Sequence, residues 1–261
     1  MADPTDTRAV SEVVGYILVF SLVLGTITLV YTAGLSGLSD TRDAERITNA
    51  ERAFDVLANN FQQMGRGEAP NRATEMKLAE AQLSTSTNRR VSINASEMDT
   101  AAAASPVTIR YNPGSDTSIV YENGAVIRVD NGNAIMLEEP DFLFDNGTVV
   151  VRYIEPQGSG QSIGGTSTAV LIRAERTSSD VLVNRGRSMN VTITMRTHPE
   201  RAQVWQEYYS ESIDSVTGNP GSGACTTNSS VGGSETTQIK CDRFDADKLA
   251  VSKVQIEVEL T

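Results

Sequence analysis

Apolar and polar positions change their spacing twice along this chain, and each change marks a boundary between elements. Between Glu12 and Asp40 no charged residue occurs, and the run Val13–Ser39 consists mostly of Val, Ile, Leu, Gly and aromatic residues. At about 1.5 Å per residue, roughly 20 apolar residues span a ~30 Å hydrocarbon core, so this run predicts a membrane-crossing helix. Beyond it, Ile47, Ala50, Phe54, Leu57, Phe61 and Met64 recur at alternating intervals of three and four, with Arg, Asp, Glu, Asn and Gln between them. That spacing is a helical stripe, and it carries the helix onward. No proline falls between Asp6 and Glu68, whereas Gly65, Gly67 and Pro70 supply a stop. One helix from about Ser11 to Met64, on the order of 80 Å long, is therefore expected. The alternative is two helices with a break around Gly34–Ser39.

From Ala73 the period shortens to two. Strands are expected at Glu75–Leu83, Arg90–Asn94, Val107–Tyr111, Ser118–Glu122, Ala125–Asp130, Ala134–Glu138, Thr148–Ile154, Thr168–Arg176, Met189–Arg196 and Leu249–Leu260. Asn123-Gly124 between two of them is the preferred two-residue turn of a tight hairpin, because both positions need positive φ. Short strands at this spacing predict a mainly antiparallel, sandwich-like head. One helix interrupts them at Pro199–Ile213, with Thr197 as a cap and Ala202, Trp205, Tyr209 and Ile213 on one face. Trp205, Tyr208 and Tyr209 could form a ligand platform, but an aromatic stripe at helical spacing is the usual way a helix attaches to a sheet. The fold class is thus α+β: a long N-terminal transmembrane and stalk helix, then a β-rich head with one short helix.

Composition narrows the partners. Thirty-three acidic residues against 22 basic ones leave a net charge of −11, and Lys77, Lys240, Lys248 and Lys253 are the only lysines. Phosphate neutralisation needs a basic face, so nucleic acid is excluded as a partner. An acidic, lysine-poor surface fits simple solubility or adaptation to high salt. The two cysteines, Cys225 and Cys241, lie in and beside a Gly/Ser/Thr-rich stretch, Ser215–Thr237, expected to be a loop. A disulfide in an oxidising space suits that placement better than a metal site, which would want more Cys or His. The sequons at Asn94, Asn146, Asn190 and Asn228 all follow the apolar run, as the cysteines do, which puts the head outside the cell.

No catalytic, cofactor-binding or metal-binding constellation emerges, so an enzyme is not expected. GSGQSIGG at Gly158–Gly165 matches neither phosphate-cradling glycine pattern. The single histidine, His198, precedes Pro199 at a helix start and reads as solvated or capping, not as a general base. Glu138, Glu139 and Asp141 could hold calcium with Asp130 or Asp145, but the regular spacing of a calcium loop is missing, and a solvated acidic turn explains them better.

The residues Arg8-Ala9-Val10-Ser11-Glu12-Val13-Val14-Gly15-Tyr16-Ile17-Leu18 resemble the processing region of type IV pilin-like proteins, in particular haloarchaeal ones. The run Asn49–Asn60, NAERAFDVLANN, resembles haloarchaeal membrane proteins in which it precedes a β-rich domain. The resemblance implies a leader 1–9, removed on the cytoplasmic side by a prepilin peptidase cutting between Ala9 and Val10. It leaves a transmembrane and stalk helix 10–66 and an extracellular head 73–261. Glu12 would be the third residue of the mature chain, whereas bacterial pilins carry a glutamate a few residues further in. It pairs with a neighbour's freed amino terminus, or it sits at the headgroups and starts the helix. Many pilins also close a C-terminal loop with a disulfide. The implied function is a minor pilin or pseudopilin that assembles through its helix. Its partners would be membrane lipid, the peptidase and other pilin-like subunits. Phe54, Leu57 and Phe61 then serve either subunit contacts or attachment of the helix to its own head. The alternative is a monomeric membrane-anchored module that binds an envelope component.

Overall fold

The computed structural model describes residues 6–87, 90–96, 98–114, 116–221, 225–229 and 235–261, without the side chains of residues 6–12, 35, 36, 39 and 40. The first element is one helix, α1, Asp6–Arg66. It runs unbroken through residues 34–39, so the two-helix alternative does not hold. Its end is a Schellman motif: Gly67 takes φ 82°, its N–H donates to the Met64 carbonyl at 3.1 Å, and the Glu68 N–H donates to Gln63 at 2.9 Å. The chain divides into two compact units, Met1–Arg46 and Ile47–Thr261. The β-rich unit therefore takes in the last five turns or so of α1 and begins well ahead of position 73.

Strands, numbered in chain order, form three sheets rather than the two of a simple sandwich. The first runs β1 (Asn71–Leu78), β12 (Thr168–Arg185), β16 (Lys248–Leu260), β10 (Thr148–Gln157), β9 (Leu143–Asp145). The second runs β11 (Ser162–Gly165), β2 (Ala81–Ser86), β5 (Thr108–Asn112), β6 (Thr117–Glu122), β7 (Ala125–Asp130), β8 (Asn133–Glu138). The third runs β14 (Cys225–Asn228), β15 (Thr237–Ala246), β13 (Met189–Thr197), β3 (Arg90–Ala95), β4 (Ala102–Ala104). β10 and β16 pair parallel, and the other described pairs are antiparallel.

Two strand expectations change. The stretch Glu75–Leu83 is two strands, β1 and β2, in different sheets, separated by a turn in which Glu80 takes φ 54°. Apolar spacing carries through that turn with no Gly, Pro or Asn to mark it. β12 continues nine residues past Arg176, where register shifts at Arg176/Ser178 and Val181/Val183 interrupt the alternation.

Two apolar clusters hold the β-rich unit together. In one, Ala50, Phe54, Leu57, Phe61 and Met64 of α1 pack with Met76, Leu83, Tyr121, Ile172 and Ile256 from the first and second sheets. In the other, Trp205, Tyr209 and Ile213 of α2 (Pro199–Thr217) pack with Ile193, Ile239 and Phe244 of the third sheet and with Val149 and Val151 of β10. α2 outruns its expected end by one turn and stops at Gly218, whose left-handed φ of 64° lets its N–H cap the Asp214 carbonyl.

Candidate functional site

The window Val13–Gly34 of α1 has a mean hydropathy of 2.4 and is 0% buried. Its three threonines bond back onto the helix. The hydroxyl of Thr26 donates to Val23 O at 2.8 Å, Thr28 to Leu24 O at 2.9 Å and Thr32 to Thr28 O at 2.9 Å. In hydrocarbon these bonds spare each hydroxyl an unmet donor, so the helix suits lipid on all sides. By length and composition it is fit to be a single membrane span or a signal anchor. The backbone at Arg8, Ala9, Val10 and Glu12 is helical, while their side chains, and all of residues 1–5, lie outside the described residues.

The stripe after it is spent inside the head. Phe54 and Phe61 are 0% exposed and Leu57 1%, and the Phe61 ring meets Tyr121 edge-on at 5.0 Å. Of the two roles expected for these residues, attachment of the helix to its own head is the one these contacts fill, and it uses the face a neighbouring subunit would need. Charged groups edge the same contact. Arg128 Nη1 lies 3.0 Å from Glu51 and its Nε 2.6 Å from Asp130, which also accepts from Thr117 at 2.6 Å. Asp130 and, secondarily, Glu51 raise the Arg128 pKa. Burial pushes the Asp130 carboxyl up, but Thr117 and Arg128 outweigh it and hold it below its ordinary value. Asp141 takes both Arg66 at 3.1 Å and Arg152 at 2.9 Å. Of the acids considered for calcium, Asp130 and Asp141 are thus engaged by arginines, and among the described residues no three His, Cys, Asp or Glu gather in metal-binding geometry.

The most enclosed polar centre lies where the β6–β7 hairpin meets α2. Asn123 and Gly124 make the expected turn, with φ of 51° and 92°, yet Glu122 and Asn123 at its tip are 0% exposed. The Glu122 carboxylate accepts from Thr197 Oγ1 at 2.7 Å, Arg201 Nε at 3.0 Å and Nη2 at 3.2 Å, and Trp205 Nε1 at 3.0 Å. Thr197 therefore does not cap α2: His198 occupies the N-cap without a side-chain cap bond, its Nδ1 3.2 Å from Glu200 Oε2. Trp205 stacks on Tyr209 at 5.6 Å and meets Tyr208 edge-on at 5.8 Å, so the aromatic stripe is core and not a ligand platform. Burial raises the phenol pKa of Tyr121, Tyr153, Tyr208 and Tyr209 above 10.0. For Tyr209 the neighbouring Tyr153, Tyr208 and Glu122 add to it. Sequence reading missed Glu122 and Arg201, since nothing local links positions 79 residues apart.

Cys225 and Cys241 are bonded, directly opposite each other on β14 and β15 with Cα atoms 4.2 Å apart, and Gln206 Nε2 donates to the Cys225 carbonyl at 2.7 Å. The glycine-rich stretch serves packing, since a Cβ on Gly158 would stand 2.7 Å from the Val258 carbonyl oxygen. The sequon asparagines Asn94, Asn146, Asn190 and Asn228 are all exposed.

These features define an α+β protein in which one apolar helix, fit to cross a membrane, leads into a mainly antiparallel, disulfide-bonded β-rich domain. The chain belongs to a family of unknown function, DUF7289, whose model matches residues 8–259. No curated protein and no solved structure matches it.

Proposed function

We propose that this is a type IV pilin-like, membrane-anchored surface protein, a minor pilin or pseudopilin, with its N-terminus inside and its head outside the cytoplasmic membrane. The observation that carries the reading is the single helix Asp6–Arg66, lipid-compatible through Val13–Gly34 and built into the β-rich core from Ala50 to Met64. In this reading one helix supplies both the anchor and part of the head's core, with no separate linker segment, as a filament subunit requires. The step Arg8-Ala9-Val10 ahead of the apolar run supports processing by a prepilin peptidase, and the exposed apolar helix supports bundling with other pilin-like subunits. The disulfide and the exposed sequons support an extracellular head, and the acidic, lysine-poor surface supports a high-salt setting. The role is structural, not enzymatic.

A second reading, a monomeric anchored module that binds an envelope component, is favoured by the stripe itself. Phe54, Leu57 and Phe61 are satisfied within one chain and leave assembly to the apolar helix alone. N-terminal sequencing of the protein recovered from cells with a prepilin peptidase separates the two. A mature start at Val10 supports the pilin pathway; an intact Met1 or Ala2 start sinks it and leaves the anchored module.

A further inference from the structure

The register of the third sheet brings two sequons together that are far apart in sequence. β3 and β13 pair antiparallel with Asn94 opposite Thr192 and Ala95 opposite Val191, which sets Ser96 opposite Asn190. The Asn94-Ala-Ser and Asn190-Val-Thr tripeptides are thus mutually paired, each acceptor asparagine facing the other's hydroxyl residue. Two bonds fix the pairing: the Ser96 N–H donates to Asn190 O at 2.9 Å, and the Asn190 N–H donates to Ser96 Oγ at 3.2 Å. Val91, Ile93, Val191 and Ile193 point into the core, so Asn94 and Asn190 share the opposite face, and both are exposed. Diagonal neighbours on one face stand about 7–8 Å apart, which leaves room for two attached chains to splay. Ser92, Thr194, Gln238 and Lys240 also lie on this face, as does Asn228 on the edge strand β14. Asn146, in contrast, sits in the β9–β10 turn, where its N–H bonds the Ser215 carbonyl near the end of α2.

We propose that the outer face of the third sheet is an N-glycosylated face, modified at Asn94 and Asn190. The donor is a lipid-phosphate-linked oligosaccharide. The asparagine amide nitrogen forms a bond to the sugar C1, the C1–O bond to the lipid phosphate breaks, the phosphate leaves with the electron pair, and one amide proton passes to a base of the transferase. Pairing of β3 with β13 holds Asn94-Ala-Ser extended along one edge, so transfer takes place on the emerging chain, before the sheet closes. The glycans then cover a face that, among the described residues, carries no exposed large apolar side chain, and keep it clear of neighbouring subunits.

This inference rests on the head being outside the membrane, and the test separates the two. The full chain, with a reporter sequon appended after Thr261, is expressed in cells whose oligosaccharyltransferase modifies a control protein. Glycopeptide mass spectrometry then reads each site. Glycan at both Asn94 and Asn190 is expected, with one mobility step lost in N94Q, one in N190Q or T192A, and two in N94Q/N190Q. A modified reporter with Asn94 or Asn190 bare overturns the proposal while the head remains outside. A bare reporter, with the head shielded from added protease, overturns both.

Discussion

Glu122 sits at 0% exposure with Arg201 at 3%, and an ion pair this deep forfeits several kcal/mol of hydration per partner. Bidentate Arg201, Thr197 and Trp205 offset that loss by filling the carboxylate's acceptor sites, so the arrangement tolerates removal of neither charge alone. Glu122→Gln keeps the shape and strands the guanidinium; equilibrium denaturation should record a loss of about 3–5 kcal/mol. Glu122→Gln/Arg201→Met should recover most of it, because an amide still accepts from Thr197 and Trp205 and no buried charge remains. Buried phenols make a second prediction at this scale. Tyr121, Tyr153, Tyr208 and Tyr209 ionise less readily folded than unfolded, so their contribution is full below the ordinary value of 10.0 and falls as pH rises beyond it. Each phenol should remove up to about 1.4 kcal/mol per pH unit there, and denaturation midpoints measured from pH 8 to 11 should drop steeply only past 10. Residue roles that depend on near neighbours, such as the Asn123-Gly124 turn and Trp205 on its helix face, were legible in the sequence. The Glu122–Arg201 pair was not, because tertiary topology alone joins a hairpin tip to a distant helix, and hairpin tips are ordinarily solvated.

At the level of elements, the helical stripe and the long alternating strands could be read because each has one face in a core and so shows its period. Short strands such as β4, β9, β11 and β14 hold three or four residues, too few to display a period. β15 breaks its own alternation at Arg243, which takes φ 45°. Period alone also could not decide what covers the stripe, since a neighbouring subunit and a sheet of the same chain want the same apolar face. The burial of Phe61 decides it, and Phe61→Ala should destabilise the head by about 3–5 kcal/mol in denaturant titration. Val56, 50% exposed on the same helix, provides the control: Val56→Ala should stay within about 0.5 kcal/mol. The disulfide acts on a different element. β14 is an edge strand of four residues whose strand partner is β15, and the bridge closes a separation of 16 residues. Loop-closure entropy assigns such a bridge about 3 kcal/mol. Cys225→Ser/Cys241→Ser should lose roughly that amount, with the gain in amide hydrogen exchange centred on β14 and β15 while α1 stays protected.

On the scale of the whole molecule, α1 is shared between two compact units, and the boundary between them falls inside the helix, after Arg46. Val13–Gly34 is an uncharged, mostly apolar surface larger than a soluble monomer ordinarily leaves exposed, and by length and composition it is fit to lie in lipid. Ile47–Thr261 is a compact unit with its own two cores, and one of those cores is filled by residues of the helix. Where the chain is cut should therefore matter more than how much is removed. A fragment 47–261 should be soluble without detergent and unfold cooperatively, because it keeps Phe54, Leu57, Phe61 and Met64. A fragment 71–261 keeps every strand but exposes the faces those side chains cover. Losing four buried large residues, at about 2–5 kcal/mol each, is comparable to the whole of the roughly 5–15 kcal/mol that a domain of this kind has in total. It should aggregate or lose its near-ultraviolet circular dichroism. Equal thermal unfolding of the two fragments would mean that the helix is held by the head without supporting it, and would return Phe54, Leu57 and Phe61 to the pool of residues free to meet a neighbouring subunit.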